Sequence, residues 1–150
     1  MVRNLLTFLL ILLPPVVRGQ DSEPEKVAAV EGVTEYRLSN GARVLLYPSA
    51  AKPTLTVNMT VLVGSRHEGY GEAGMAHLLE HMVFKGTPTR TAADVNRELD
   101  EIGSQSNAFT SEEHTVYYAR VLPENQSSAT DLLSDIMRPS LRDDDFEMEK

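Results

Sequence analysis

Residues 77–81 read His-Leu-Leu-Glu-His. On a helix, His77 and His81 are four apart, so their imidazoles leave one face a single turn from each other. Two neutral imidazoles at that spacing can ligate one Zn²⁺ at about 2.0–2.1 Å. Glu80 lies three residues after His77 and shares that side, where a carboxylate can take a proton from water acidified by a metal. Two metal ligands and a general base are what metal-assisted peptide hydrolysis requires. The order H-x-x-E-H inverts the commoner H-E-x-x-H arrangement.

The competing reading makes the same three residues the solvated face of an amphipathic helix. Leu78, Met82, Met75, Leu79, Val83 and Ala76 fill one continuous arc of the helical wheel, which is expected to be buried. His77, Glu80 and His81 occupy the remaining arc with Ala73 and Phe84. A face meant only for water would more often carry Lys, Asp and Gln than two histidines beside a phenylalanine.

The elements around this helix follow from periodicity. Residues 36–39 and 42–47 flank Asn40-Gly41, a strong hairpin signal because both turn positions want φ > 0. Thr54 to Val63 places Leu55, Val57, Met59, Val61 and Val63 on one face, as in a half-buried strand. Gly64 to Gly74 is a loop that delivers the chain to the helix, and Lys85, Gly86 and Pro88 stop it. A second helix starts at Thr91, with Asp94 in its first turn and Val95, Leu99 and Ile102 as its buried stripe. Ser106 to Ser111 and His114 to Leu122 read as strands joined around Glu112-Glu113. Pro123 opens a third helix, with Ala129, Leu132, Leu133, Ile136 and Met137 inward, stopped by Pro139. Asp143 to Asp145 are expected to cap a last helix. This order of strands and helices predicts an α+β fold, a mixed or antiparallel sheet covered by helices on one face.

Three stretches, in order, resemble one family. Gly71 to Thr87 (GEAGMAHLLEHMVFKGT) resembles the active-site helix of the pitrilysin/insulinase family, the inverzincins, which include the mitochondrial processing peptidases. Gly103 to Asn125 (GSQSNAFTSEEHTVYYARVLPEN) resembles the segment that follows it, and Asp144 to Lys150 (DDFEMEK) the start of the next helix. The resemblance covers residues 34–150. It implies a zinc endopeptidase acting on peptides or unfolded polypeptides, with one Zn²⁺ per active site. His77 and His81 match the metal ligands and Glu80 the catalytic base.

The resemblance also implies that the segment with Asn107, Ala108 and Phe109 is an edge strand to which substrate backbone adds. Against this stands an ordinary strand with Phe109 in a core. A catalytic zinc site needs a third protein ligand, which the resembled enzymes supply as a glutamate that would fall beyond Lys150. Glu149 matches an acidic residue preceding that ligand, in contact with a ligand rather than with the metal. The plain alternative for Glu147 and Glu149 is a solvated helix start. The chain therefore reads as an N-terminal part of a peptidase domain, expected by itself to hold zinc weakly and to lack appreciable activity. A C-terminal pitrilysin-like domain, in the same chain or a partner subunit, would complete it. The rival function is a non-catalytic pitrilysin-like subunit that binds a partner.

His67 and His114 are isolated and read as surface or packing histidines. Asn58-Met59-Thr60 and Asn125-Gln126-Ser127 fit the glycosylation sequon, which matters only on a eukaryotic secretory route. The chain has no cysteine, so thiol chemistry is excluded and any zinc must take nitrogen and oxygen ligands. Arg3 followed by the apolar Leu5 to Val17 predicts a signal peptide over residues 1–19, cut before Gln20, and a secreted or periplasmic protein. An uncleaved membrane anchor is the alternative. Residues 20–33 read as a polar tether and 34–150 as the domain. The net charge of −8 becomes −10 once Arg3 and Arg18 are removed, leaving 12 basic against 22 acidic residues. That balance argues against nucleic acid as a partner.

Overall fold

Short strands with tight turns between them open the structure, a computed structural model that describes residues 23–150. The chain divides into two compact units, the first ending at Ser49 and the second running from Ala50 to Lys150. In the first unit, β1 (Glu25–Val30), β2 (Val33–Arg37) and β3 (Arg43–Leu46) form an antiparallel sheet in that order. Residues 20–33, expected as a tether, thus contain a strand paired with β2. The β1–β2 turn is Glu31-Gly32, with φ of 50° and 84°, the two positive values that a two-residue hairpin turn demands. Glutamate is not a usual residue there, which hid the turn from the sequence.

The Asn40-Gly41 hairpin forms, in a different turn type. Gly41 N–H donates to Leu38 O and Leu38 N–H to Ala42 O, both at 2.9 Å. Only Gly41 has positive φ, at 89°, the pattern of a type I turn closed by a glycine bulge. Asn40 instead uses its side chain, whose Oδ1 accepts from Ala42 N–H at 3.0 Å.

The second unit is built on a sheet ordered β4-β6-β5, with β4 (Leu55–Val61), β5 (Gln105–Thr110) and β6 (Thr115–Val121) all antiparallel. Strand alternation puts Tyr117, Ala119 and Val121 of β6 on one face, where all three are buried. The register places Met59, Val57 and Leu55 opposite them on β4, and Ala108 and Ser106 opposite Tyr117 and Ala119 on β5. Three helices supply the rest of that core: Val83 from α1 (Met75–Val83), Val95 and Leu99 from α2 (Ala92–Glu101), and Ala129, Leu132, Leu133 and Ile136 from α3 (Gln126–Ile136). The helices therefore cover one face of the sheet, as expected. Among the described residues strand β5 is an edge, paired to β6 alone.

Capping follows local chemistry. Thr91 Oγ1 accepts from Asp94 N–H, and the Asp94 carboxylate returns the bond to Thr91 N–H at 3.0 Å, a closed capping box. The last helix, α4 (Asp143–Glu149), departs from expectation. Its N-cap is Arg142 with no side-chain cap, and Asp145 is buried with its carboxylate 2.7 Å from Arg142 Nε. The Asp145 carboxylate is thus engaged with the guanidinium of the N-cap residue rather than with the free backbone N–H groups of the first turn.

Between α1 and α2 the chain turns at Gly86, whose φ is 119°; an added Cβ would stand 2.7 Å from Arg90 O. The turn is tied to α3 by Asp135, which accepts from Thr87 Oγ1 at 2.7 Å, Thr89 Oγ1 at 3.0 Å and Arg90 Nη1 at 2.7 Å. The Thr87 hydroxyl, then the Arg90 guanidinium, hold this carboxyl below its ordinary value of 3.8. A depressed folded value contributes stability above pH 3.8 that is lost as pH falls through the lower folded value. Asp135→Asn is expected to cost about 1–3 kcal/mol at pH 7. The gap from the parent, read by urea unfolding, should narrow toward pH 3; a gap independent of pH would contradict this role.

Candidate functional site

Helix α1 carries the site. His77 and His81 leave its exposed side with ring centroids 4.7 Å apart and planes at 84°. The apolar arc is buried less completely than its composition predicts. Met82 and Val83 are buried, whereas Met75 and Leu79 are exposed. The helix meets β5, α4 and the short 3₁₀ turn Ser65–His67, contacts that leave Met75 and Leu79 exposed. Conversely Glu80, assigned to the polar arc, is only 8% exposed. It turns beneath β5, where its carboxylate Oε2 accepts from Thr110 Oγ1 at 2.5 Å. Burial, and secondarily the negative charge of Glu80, pushes the neighbouring Tyr117 phenol up to about 12.

The start of α1 is held from a distance. Gly74, in the left-handed region at φ 91°, has no side chain with which to cap the helix. The Glu68 carboxylate takes its place, accepting from Gly74 N–H and Ala76 N–H at 2.9 Å each. Those two bonds, Ala76 first, lower the Glu68 pKa, as expected of an anion at a helix N-terminus. A helix preceded by glycine, with an acid six residues upstream, was the readable signal for this cap.

The other end of α1 is tied to α4. Arg142 Nη2 donates to Lys85 O at 2.7 Å, which brings Glu149 over the last turn of α1. Glu149 Oε2 lies 2.8 Å from His81 Nδ1, and Oε1 lies 2.5 Å from Lys85 Nζ. Lys85, then His81, draw the Glu149 carboxyl below the usual glutamate range. Because Nδ1 of His81 faces a carboxylate, Nε2 is the nitrogen left for a metal. The His77 ring makes no hydrogen bond among the described residues and lies against the His81 ring. Glu147 pairs with Lys150 at 2.8 Å, away from the histidines.

Two clefts run between α1 and β5. One, of about 390 Å³, is lined by His77, Glu80, Ala108, Phe109 and Thr110, with Glu68 and Ser111 among others. A second, of about 450 Å³, is lined by Glu80, His81, Asn107, Ala108 and Glu149, with Lys85 and Asn96 among others. Glu80 lines both. The edge-strand residues divide between the two sides of β5. The register puts Ala108 on the side of α1, and Asn107 and Phe109 opposite Tyr118 and Val116 on the other face. Phe109 is 47% exposed and so belongs to no core; its ring lies 6.0 Å from that of His114. Asn107 Oδ1 accepts from Ala108 N–H at 2.9 Å. A side-chain oxygen can take that N–H only on the side of β5 where no strand is paired.

The two isolated histidines serve local structure. His67 Nδ1 accepts from Gly64 N–H at 3.1 Å, and His114 Nδ1 lies 3.1 Å from Ser111 Oγ. Among the described residues no three His, Asp or Glu side chains converge so as to hold a metal ion. The donors present are two exposed imidazoles one turn apart, with Nδ1 of His81 taken up by Glu149. That set fits zinc as a partial coordination sphere and leaves a third ligand to be supplied.

Comparison with known proteins agrees with this geometry. The family described as Insulinase (Peptidase family M16) matches residues 43–150. An uncharacterized zinc protease of Rickettsia felis is 48% identical over 105 residues, 70% of this chain and 26% of its own. A probable mitochondrial-processing peptidase subunit beta of Arabidopsis thaliana is 45% identical over 103 residues, covering 69% of this chain and 19% of its own. The crystal structure of a protease from Helicobacter pylori superposes with a TM-score of 0.73 at 32% identity, covering 77% of this chain and 28% of that one. The chain thus spans about a quarter of the length of such relatives. With the helix motif, the antiparallel sheet and the family match in agreement, the chain belongs to the insulinase family of peptidases, M16.

Proposed function

We propose that the complete protein is a zinc-dependent endopeptidase that cleaves peptides or unfolded polypeptides. The observation that carries this reading is the placement of His77, His81 and Glu80 beside the unpaired edge of β5. His77 and His81 would hold Zn²⁺, with a third ligand from a glutamate beyond Lys150. When bound, zinc supplies Lewis acidity and makes water easier to deprotonate. Glu80 takes the proton of the attacking water and returns it to the leaving amine nitrogen, so the base is regenerated in each cycle. Glu149 fixes the ring orientation of His81 through Nδ1, and Lys85 holds Glu149 in place. Substrate backbone adds to β5 as a further strand, with Ala108 offering its N–H after Asn107 Oδ1 swings away. A pitrilysin-like C-terminal domain, in the same chain or a partner subunit, would close the cleft.

Secretion or periplasmic location is proposed on the leader-like composition of residues 1–19, which lie outside the described residues. Among the described residues no helix is long and apolar enough to cross a membrane. The intact motif weighs against a non-catalytic subunit. The test is incubation of the complete protein with an unfolded polypeptide, with and without a zinc chelator. Internal cleavage products should vanish on chelation and return with added Zn²⁺. Cleavage unaffected by chelation, or none by zinc-loaded protein, would reject the reading.

A further inference from the structure

We propose that Thr110 is the residue that positions Glu80 for proton transfer, an inference that rests on the reading of Glu80 as the base. Thr110 is the last residue of β5 and pairs with Thr115, which is buried. Strand alternation puts it on the same side as Ala108, facing α1. Its Oγ1 stands 2.5 Å from Glu80 Oε2. A carboxylate acting as a base can only accept, so the single hydroxyl proton of Thr110 goes to Glu80. The nearby Thr115 Oγ1 has its shorter contact with Val63 O, at 3.0 Å against 3.4 Å to Thr110. At 2.5 Å the Glu80 carboxylate is much the nearer acceptor, so the Thr110 proton goes to Glu80 and not to Thr115.

Among the described residues this is the only hydrogen bond to the Glu80 carboxylate. Oε2 is thereby anchored, and Oε1, with no partner among the described residues, is the oxygen that meets the water. A glutamate has three side-chain torsions, and only a fixed partner selects one arrangement over the others. Threonine suits the task because its branched Cβ restricts χ1 and so aims the hydroxyl. A misplacement of about 1 Å in a reacting group can cost about a hundredfold in rate.

The experiment uses the complete, zinc-loaded protein and an internally quenched peptide. Thr110→Val keeps the shape and removes the hydroxyl. It should lower kcat about 10–100-fold while KM and zinc content stay near the parent's. Thr110→Ser, which restores the donor, should recover most of kcat. In the Glu80→Gln background, Thr110→Val should cause no further loss. Thr110→Ala serves in the same way should the valine variant fail to fold, as judged by its melting curve. Parental kcat in the valine variant, serine falling as far as valine, or an additive loss with Glu80→Gln would each overturn the proposal. Parental hydrolysis by Glu80→Gln alone would instead reject the assignment of the base, and this inference with it.

Discussion

Glu80→Gln is expected to retain zinc and to lose about 10²–10⁴-fold in kcat, the range that a positioned general base contributes. The amide keeps the volume of the carboxylate and can still accept from Thr110 through its carbonyl oxygen. What it loses is the capacity to take a proton. The histidines are untouched by the change, so metal content should be that of the parent. The other carboxylates that line the two clefts are engaged elsewhere, Glu68 with the first turn of α1 and Glu149 with His81 and Lys85, so neither replaces it. The measurement is kcat on an internally quenched peptide, with zinc content determined on the same sample. A variant that hydrolyses at the parental rate would sink the assignment.

Ala108→Pro tests the other half of the site. Proline removes the N–H that points to the open side of β5, the position where an edge strand tolerates it best. Pairing with β6 is spared, and so is every group near the histidines. The expected result is a fall of about tenfold in kcat/KM, the worth of one well-made backbone hydrogen bond, with zinc content unchanged. Asn107 Oδ1 now occupies that N–H, so Asn107→Ala should act in the opposite direction on KM. Unchanged peptide kinetics in a folded Ala108→Pro protein would remove β5 as the docking edge.

What could be read from the sequence was what depends on short separations. The imidazole pair of α1, the Thr91–Asp94 capping box and the inward stripe of α3 are all set within one or two helical turns. The alternation of β4 was legible for the same reason, since Leu55, Val57 and Met59 pack against the core. Strand β1 was missed because all its residues are exposed, so no apolar alternation marks it, and because Glu31-Gly32 is an unusual turn pair. The supports of the site were legible only in part. Thr110 reaches Glu80 across 30 residues and Glu149 reaches His81 across 68, and only the assembled sheet and helices bring them together. Glu149 was anticipated through family resemblance, whereas Lys85 and Arg142, which hold it there, carried no local signal. The exposure of Met75 and Leu79 shows the limit of a helical wheel, which gives the apolar arc and not what will cover it.

Under the proposed function, hydrolysis depends on zinc held by His77 and His81. The most direct measurement is zinc content per chain, by atomic absorption, for the complete protein and its His77→Ala and His81→Ala variants, with peptide cleavage assayed on each. About one zinc per chain is expected in the parent, as for a single catalytic site, with zinc and cleavage lost together in both variants. A folded variant that keeps its zinc and still cleaves the peptide would contradict it.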